Sequence, residues 1–525
     1  MTMLPFQKKL SNSFYAMLSL PATAMGFGLA VQIAVLSWLL STKYGLDTRD
    51  IGLVWAMGPL GGLIGQIVIG IISDKVWVWN GRRRAFILVG GVLAALGLLS
   101  LPNIGIIQSG LGIDGILGVA IVVSLTIDLA INVSFNPTRA IIADVTPEGR
   151  PRTKGYTWMQ TISGSFGVLA YLIGAIWGNY VLIYFGVVLI LLFSIIPPFF
   201  IKEPRHLGHY GKDEDEAAAA DKAMQESTGV KKVTLGEILM TILPLWGFLL
   251  YALYGIFGRV GLIPVLPNYW FEMFCIVLTV IVMVYTMSQK ELGVSKEKDG
   301  LIGFRKILAA HSFTWIGMQT IFIYLFAFVR YRIPELADIQ IDPSILTEDA
   351  ALEAARVQAI DNTVGRIVNW SLFSLNLVAA IIPVFILEPM AARFGRVRTH
   401  AFCIAIMSLG ALNILFFGYS PVIIYLLMAI VGIGWAATIS LPFAIMSQKI
   451  PQNRMGFYMG LFNLSVTLPM FVSSFGMAEI VDAAENKSII FILLAITAAL
   501  SAALWSFIRE PKDVFTENPL LAEES

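Results

Sequence analysis

The sequence of 525 residues contains few charged residues and only two Cys residues. Asp, Glu, Lys and Arg together make up 14% of the chain, whereas about 25% is usual in soluble domains. Such a chain cannot cover a folded core with a water-soluble surface, and its two Cys residues cannot build a disulfide scaffold. A net charge of +1 gives no general attraction to nucleic acid, so we expect no nucleic-acid partner.

Long apolar segments take the place of the missing charge. Hydrophobic residues make up 57% of the chain, and they form fourteen continuous stretches, each long enough for a helix of about 20 residues that crosses a bilayer. The stretches are continuously apolar rather than alternating, which excludes membrane-spanning strands. The predicted fold class is therefore an all-α polytopic membrane protein with fourteen transmembrane helices.

The distribution of positive charge predicts the orientation of these helices. Most of the 36 Lys and Arg residues fall in alternate loops, and the positive-inside rule assigns those loops to the cytoplasm. An even number of spans then puts both termini in the cytoplasm. We expect a multi-pass protein of the cell membrane, in the inner membrane of a bacterium, that is a monomer.

Corresponding segments recur in the two parts of the chain. Pro147 and Arg150 in the first part correspond to Pro451 and Arg454 in the second, a separation of 304 residues. This recurrence predicts an internal repeat of six helices, which is typical of transporters built from two six-helix halves.

Two repeats of six helices leave two of the fourteen helices over, and these form a predicted hairpin between the halves. We expect the hairpin to lie outside the core and to pack against lipid. The predicted parts are an N-terminal six-helix half at 1–201, a cytoplasmic linker at 202–237, the inserted transmembrane hairpin at 238–288, a second cytoplasmic linker at 289–307, and the C-terminal six-helix half with a cytoplasmic tail at 308–525.

Specific motifs occur in the second, fourth, tenth and eleventh helices of the predicted core. They are the run from Trp55 to Asp74 with Gly81-Arg82-Arg83-Arg84 after it, Asp128-Leu-Ala-Ile-Asn132 with Pro137-Thr-Arg139 and Ala143-Asp144, the run from Gly434 to Ala444, and the run from Gly456 to Asn463. Together they resemble the sucrose/proton symporters, in the glycoside-cation symporter branch of the major facilitator superfamily. The resemblance implies a major facilitator-type fold and a proton-coupled symporter that imports a sugar by alternating access, most simply an α-glucoside disaccharide such as maltose or sucrose.

Asp128 is the strongest candidate for a functional residue because it lies about halfway along a predicted span. A charge at the middle of the bilayer costs about 2.5–3.5 kcal/mol on insertion scales, so a carboxylate there needs a reason. In the resemblance, the matching aspartate couples the proton to the sugar. The alternative is a neutral, hydrogen-bonded acid that only packs. We predict that Asp128 is the proton-coupling residue.

Candidate sugar ligands are amides and aromatic rings within the predicted spans. Amides can pair with sugar hydroxyls, and aromatic faces can pack against the apolar sides of the ring. Asn132 lies one turn from Asp128 on the same helix face, and Gln32 resembles a glutamine that faces the sugar path in the family. Ordinary interhelical contacts, worth about 0.6 kcal/mol each, are the alternative for every one of these. The predicted substrate-binding residues are Gln32, Asn132, Trp315, Gln319, Asn369, Asn376 and Trp435.

A cluster of charged residues lies at the predicted cytosolic ends of the spans. Two halves that rock against each other need charge pairs that form in one state and break in the other. The predicted gating residues are Asp74, Arg82, Arg139, Asp144 and Arg396. Arg83 and Arg84 fit ordinary positive-inside topology instead.

Three other functions remain open. One is a fourteen-span drug/proton antiporter, and another is a membrane sugar sensor without net transport. The third is a glycosyltransferase that uses Asp213 and Asp215, although this pair lies in an Ala- and acid-rich stretch typical of a solvated helix face. The sequence contains no phosphate-binding Gly-rich loop. We expect neither a cofactor, a metal site nor enzyme activity, and the expected partners are a sugar, protons and the lipid bilayer.

Overall fold

The computed structural model describes residues 5–63, 76–79, 81–147, 150–203, 234–266, 268–291, 296–340, 349–450 and 454–510. The regular structure of these residues is helical apart from one isolated bridge between Val78 and Gly81. Eleven of the helices in the described residues are long and apolar enough to cross a membrane, and a bent pair makes a twelfth. The all-helical, many-span fold is therefore confirmed, and the arrangement of fourteen helices stays a prediction.

The first group of helices comes from the N-terminal part of the chain. Its members are α1 (Asn12–Thr42), α2 (Thr48–Trp55), α3 (Arg84–Ser100), α4 (Ile116–Val145), α5 (Arg150–Trp177) and α6 (Asn179–Phe200). Helix α1 packs against α5, α6 and α4, and α3 packs against α4 and α6. The second predicted span reaches residues that lie outside the described ranges, so only α2 and the helical residues 57–63 can be compared with it.

The hairpin segment follows. It consists of α7 (Leu235–Thr241), α8 (Trp246–Arg259) and α9 (Trp270–Ser288). Helices α7 and α8 meet at a bend of 72°, where Pro244 cannot donate a backbone hydrogen bond. Only 22% of the most apolar window of α9 is buried, which leaves most of its surface for lipid.

The second group comes from the C-terminal part of the chain. Its members are α10 (Lys296–Arg332), α11 (Asp349–Ile382), α12 (Arg396–Phe417), α13 (Pro421–Lys449), α14 (Met455–Phe471), α15 (Met477–Ala483) and α16 (Ile489–Trp505). Helix α12 packs against α13 and α16, α11 against α13, and α10 against α16 and α14. A π-helical turn at Val472–Gly476 joins α14 to α15.

Helices α1 and α10 form the centre of the molecule. In each of them 83% of the most apolar window is buried, compared with 33–56% in the other spans of the two groups. This burial comes from the neighbouring helices that surround α1 and α10. Residues of α1 and α10 can therefore line a central site, whereas α9 cannot.

The two ends of the bundle are distinguished by the chain termini. We call the end that holds Asn12 and Trp505 the terminal end, and the end that holds Thr42 and Trp177 the far end. Among the described residues, side-chain contacts between the two groups run from the far end to the middle of the bundle. One close approach in the middle of the bundle is at Gly62, where an added Cβ would lie 3.6 Å from Cγ2 of Thr467.

Gly90 is a point of close approach between α3 and α4. A Cβ added there would lie 2.1 Å from Oγ of Ser134 and 2.7 Å from the carbonyl oxygen of Ala130. Small residues at such crossings let two membrane helices pack backbone to backbone. A methyl group at this position must therefore push the two helices apart.

We predict that Gly90→Ala lowers the free energy of unfolding by about 1–3 kcal/mol, the usual effect of overpacking. The measurement is the melting temperature of the detergent-purified protein. Gly118→Ala is the matched control, because a Cβ there meets nothing within 4 Å. Equal melting temperatures for the two variants would show that the close crossing does not constrain the fold.

Candidate functional site

Asp128 lies at mid-depth of α4 and is 4% exposed. Its Oδ1 accepts a hydrogen bond of 3.1 Å from Nε2 of Gln32 on α1, and its Oδ2 lies 3.5 Å from Oγ of Ser124. No Lys or Arg among the described residues forms an ion pair with this carboxylate. Asp128 is therefore a buried acid that is held only by neutral groups.

Residues 57–63, which are helical and follow α2, pack against Asp128 through glycines, which leave room for its carboxylate. A Cβ added at Gly61 would lie 3.0 Å from Cβ of Asp128 and 3.2 Å from its backbone carbonyl carbon. Any larger residue would force α2 and α4 apart at the depth of the acid. Because Gly58 and Gly61 have no side chain, the segment after α2 can meet α1 and α4 at the carboxyl group of Asp128.

Asn132 lies one turn from Asp128 toward the terminal end and is half-buried. Its Nδ2 donates a 2.7 Å bond to the backbone carbonyl of Asp128. Its Oδ1 lies 3.9 Å from the position of a Cβ at Gly62, the residue that also approaches Thr467 of the second group. Asn132 therefore lies near the boundary between the groups, as a ligand for a central substrate must.

The second group places an aromatic cluster on α10 and α13. Trp435 packs edge-on against Trp315 and against Phe322, with ring centroids 5.4 Å apart in both pairs. Nε1 of Trp315 donates a 2.9 Å bond to Nε2 of His311. His311 is 2% exposed and stacks on Phe462 at 4.9 Å. His311 could not be recognised from the sequence, since one His in an apolar helix carries no motif.

The three remaining amide candidates have different surroundings. Gln319 on α10 is 2% exposed, and its Nε2 has no hydrogen-bond partner among the described residues. Nδ2 of Asn376 donates to the carbonyl of Leu372 on its own helix, at 2.9 Å. Asn369 is fully buried and donates 2.7 Å to Oδ1 of Asn179, so it bridges the two groups near the far end. The structure does not bring Asn369 together with Asp128.

A hydrogen-bonded relay joins the groups near the far end. Nε1 of Trp55 donates 2.8 Å to Oγ of Ser37, and that hydroxyl donates 2.6 Å to the carbonyl of Ile323 on α10. Both Trp55 and Ser37 are buried. Beside this relay, the carbonyl of Ser474 would lie 2.4 Å from a Cβ at Gly52. Tight packing of this kind closes the molecule on this side.

A second layer of polar contacts lies nearer to the far-end surface. Nε1 of Trp38 donates 2.8 Å to the carbonyl of Asp361, whose carboxylate pairs with Arg330. Arg49 and Asp482 form a 3.4 Å ion pair between the groups with both side chains more than a third exposed. An exposed pair of this kind contributes little to stability, so it can open without a large loss.

At the terminal end, the structure pairs Asp144 with Arg83. Nε of Arg83 lies 3.0 Å from Oδ2 of Asp144, and the two side chains are 6% and 9% exposed. Arg83 and Arg84, which the sequence assigns to positive-inside topology, are both buried, and that assignment stays a prediction. Asp74, another predicted gating residue, lies outside the described residues. Arg82 donates its backbone N–H to Glu203, at 2.7 Å.

Glu203 and Glu510 form equivalent caps that the sequence analysis missed. Glu203 accepts backbone N–H bonds from Arg82, Arg83 and Arg84 at 2.7–3.0 Å, and Glu510 accepts them from Arg396 and Val397 at 2.6 and 2.9 Å. Each carboxylate thereby satisfies free donors at a helix N-terminus. Burial raises the pKa of Glu203, and the three backbone bonds oppose that rise.

A repeated motif could have revealed these caps. Glu203 stands in Ile-Lys-Glu-Pro and Glu510 in Ile-Arg-Glu-Pro, 307 residues later. This separation is close to the 304 residues between Pro147 and Pro451. The two groups therefore share the same device at the same end of the bundle.

Arg139 and one polar face of α5 are solvent-accessible in the terminal half of the bundle. The guanidinium of Arg139 lies 4.0 Å from the ring centroid of Phe135, a cation–π contact rather than an ion pair. On α5, Thr157, Gln160 and Thr161 are exposed and share one helix face. Polar groups in a span face a cavity or the bundle interior rather than lipid, so this face marks an open, wet side.

Among the described residues, no group of three or more His, Cys, Asp or Glu could hold a metal ion.

Comparisons with known proteins agree with this arrangement of helices. The model of the Major Facilitator Superfamily matches residues 18–333 and 351–522. The structure of the peptide transporter POT in complex with sulfate is similar, with a TM-score of 0.59 at 15% identity over 94% of this chain and 93% of that chain. The inward open xylose transporter XylE from E. coli gives a TM-score of 0.56 at 14% identity over 96% and 97%. At these identities the likeness concerns the fold.

Curated relatives give closer but shorter matches. The sucrose transport protein SUC4 of Arabidopsis thaliana is 30% identical over 185 residues, which are 34% of this chain and 36% of that protein. The general alpha-glucoside permease of Schizosaccharomyces pombe is 27% identical over 174 residues, 30% of this chain and 31% of that protein. The matches thus span about a third of the length of these relatives.

We predict that Asp144→Asn destabilises the protein by about 3–5 kcal/mol, because it removes the negative charge beside a buried guanidinium. Glu353→Gln is the control, since it breaks an exposed pair with Arg356 and should change stability by less than about 1 kcal/mol. Denaturant titration of both purified variants measures the difference. Equal losses would mean that the Arg83–Asp144 pair is not a structural element of the terminal end.

Proposed function

The chain belongs to the Major Facilitator Superfamily, and on that premise we propose that it is a proton-coupled sugar symporter that works by alternating access. The observation that carries the proposal is the carboxyl group of Asp128, buried at mid-depth and held by Gln32 and Ser124 alone. A carboxylate buried without a cation is unstable, and one that has bound a proton is not. Movement of a proton on and off Asp128 therefore changes which conformation is favoured.

The proposed substrate is an α-glucoside disaccharide, maltose or sucrose. Amides and hydroxyls around Asp128 supply donors and acceptors, and Trp315 with Trp435 supplies aromatic faces across the boundary between the groups. Partial similarity to a sucrose transport protein and an alpha-glucoside permease supports this substrate class. Gln319, which has an unpartnered buried amide among the described residues, is a further proposed sugar ligand.

The same geometry supports a particular state in the transport cycle. Contacts between the groups, including the Trp55–Ser37–Ile323 relay, lie toward the far end, and α5 presents an exposed polar face in the terminal half. With both termini in the cytoplasm, this is the state closed to the outside. Opening the far end requires the Ser37–Ile323 and Trp38–Asp361 bonds to break.

The arrangement of domains is part of the proposal. We assign residues 1–201 and 308–525 to two six-helix halves that rock against each other, with 238–288 as an inserted hairpin outside the pathway. Residues 204–233 of the linker at 202–237 and residues 511–525 of the predicted tail lie outside the described residues. The proposed gate at the terminal end uses Arg82, Arg139, Asp144 and Arg396, and the Arg83–Asp144 pair and the two Glu caps are contacts within each half that hold these segments in place.

We predict that Asp128→Asn abolishes accumulation of the sugar against its gradient but preserves sugar exchange at least partly. Asn keeps the hydrogen-bonding shape of the protonated acid and cannot release a proton, so the proton loses its effect on the conformational equilibrium. Sugar binding by the wild type should tighten as pH falls and Asp128 takes up a proton, because coupling is reciprocal. That pH dependence should disappear in the variant.

Proteoliposomes with an imposed proton gradient and radiolabelled maltose or sucrose test this prediction. Asp114→Asn is the matched control, an exposed acid just before α4 that should leave accumulation unchanged. Accumulation by Asp128→Asn at the wild-type level would move the coupling role elsewhere, with Asp144 next. Efflux of a drug without any sugar movement would favour an antiporter, and sugar binding without counterflow would favour a sensor.

A further inference from the structure

A small cavity opens at the far end, away from Asp128. Its volume is about 190 Å³, and it lies at the turn between α5 and α6 where this turn meets α1 and α11. Its lining side chains are Trp38, Trp177, Asn179, Tyr180, Asn362 and Arg366. Trp38 and Asn179 also take part in the far-end contacts between the groups described above, and none of the lining residues is assigned to the central site.

The aromatic wall of this cavity is held in a fixed geometry. Trp38 is 4% exposed, donates from Nε1 to the carbonyl of Asp361, and packs edge-on against Tyr180 with centroids 5.5 Å apart. Tyr180 and Trp177 are 38% and 60% exposed, so their rings are accessible to a ligand. Gly178, between Trp177 and Asn179, has a φ of +88°, a backbone conformation that suits glycine.

The polar wall comes from α11 and offers unused donors. Asn362 and Arg366 are four residues apart on one helix face and both are exposed. Arg366 forms no hydrogen bond or ion pair with any described residue, whereas Arg330 pairs with Asp361 and Arg332 donates to the carbonyl of Leu415. The planar guanidinium offers five N–H donors in a fork, which can bond two neighbouring hydroxyl groups at once.

We propose that this cavity is a second carbohydrate site, which binds a single pyranose ring at the far end of the transporter. Accessible aromatic rings fit the apolar C–H face of a sugar ring, and the Arg366 and Asn362 donors fit its hydroxyl edge. Drug-sized ligands occupy pockets of roughly 300–1,000 Å³, so a cavity of about 190 Å³ holds one ring and leaves the second ring of a disaccharide in solvent. The assignment rests on the proposed sugar-transport function.

The site also has a consequence for the transport cycle. Trp38, Trp177 and Tyr180 belong to the first group, whereas Asn362 and Arg366 belong to the second. The complete cavity therefore exists only while the far end is closed. A ligand that binds one of two states shifts the equilibrium toward that state, so sugar bound here holds the far end shut. External sugar at high concentration should slow its own uptake.

Binding of methyl α-D-glucopyranoside, a single-ring probe, to the purified full-length protein tests the site. The variants are Arg366→Gln and Trp177→Ala, with Arg356→Gln as the control because it removes a positive charge from the same helix outside the cavity. Equilibrium dialysis should give one more bound sugar per chain for wild type and control than for the two cavity variants. A melting temperature equal to that of wild type verifies that each variant is folded.

Transport gives an independent readout of the same site. Sugar uptake into proteoliposomes should fall at high external sugar for wild type, and that decline should be absent, or shifted at least tenfold in concentration, in Arg366→Gln. If all four proteins bind the same number of sugars and show the same uptake curve, the second site is wrong and the proposed function stands. If wild type neither binds nor transports a sugar, both proposals fail.

Discussion

A carboxyl group at the centre of a membrane protein must be neutralised or paired, and Asp128 has only neutral partners among the described residues. Its nearest donors are Gln32 and Ser124, and the glycine at position 61 lets the second helix approach within contact of its backbone. Burial of an unpaired charge in such a place is costly. The surrounding helices can relieve that cost only by admitting water or by allowing a proton to bind. The proposed transport cycle follows from these two cases. The ionised carboxylate favours a packing of the two groups that admits water, and the protonated one favours a packing that excludes it.

The two ends of the bundle are built from different interactions, and the difference explains how the groups can move. At the terminal end, each group has its own carboxylate cap, Glu203 or Glu510, and the first also has the Arg83–Asp144 pair. These contacts lie within a group and can persist when the groups rock. At the far end, the Ser37–Ile323 bond crosses between groups. Neutral hydrogen bonds of this kind are worth little net free energy, so their loss is a small barrier to opening.

The sequence was sufficient for the helical class and for the position of Asp128 within a span, but it did not predict the hydrogen bond between Gln32 and Asp128. Apolar length and an isolated mid-span charge are properties of single segments, and they can be seen without a structure. The partner of Asp144 could not be derived in this way, because Arg82, Arg83 and Arg84 are adjacent and only the turn of the chain before α3 determines which side chain reaches Asp144. The hydrogen bond of Asn369 could not be derived for a similar reason. Its partner Asn179 lies 190 residues away in the sequence, and only the fold brings the two amides together.

Proton movement driven by sugar is the most direct test of the account. Proteoliposomes containing the wild-type protein, with no initial pH difference and a pH-sensitive dye inside, are mixed with maltose or sucrose at a high external concentration. The account predicts that the interior acidifies as the sugar enters, that mannitol at the same osmolarity has no effect, and that a protonophore removes the signal. Sugar entry with no change of internal pH would contradict proton coupling, and therefore the role given to Asp128.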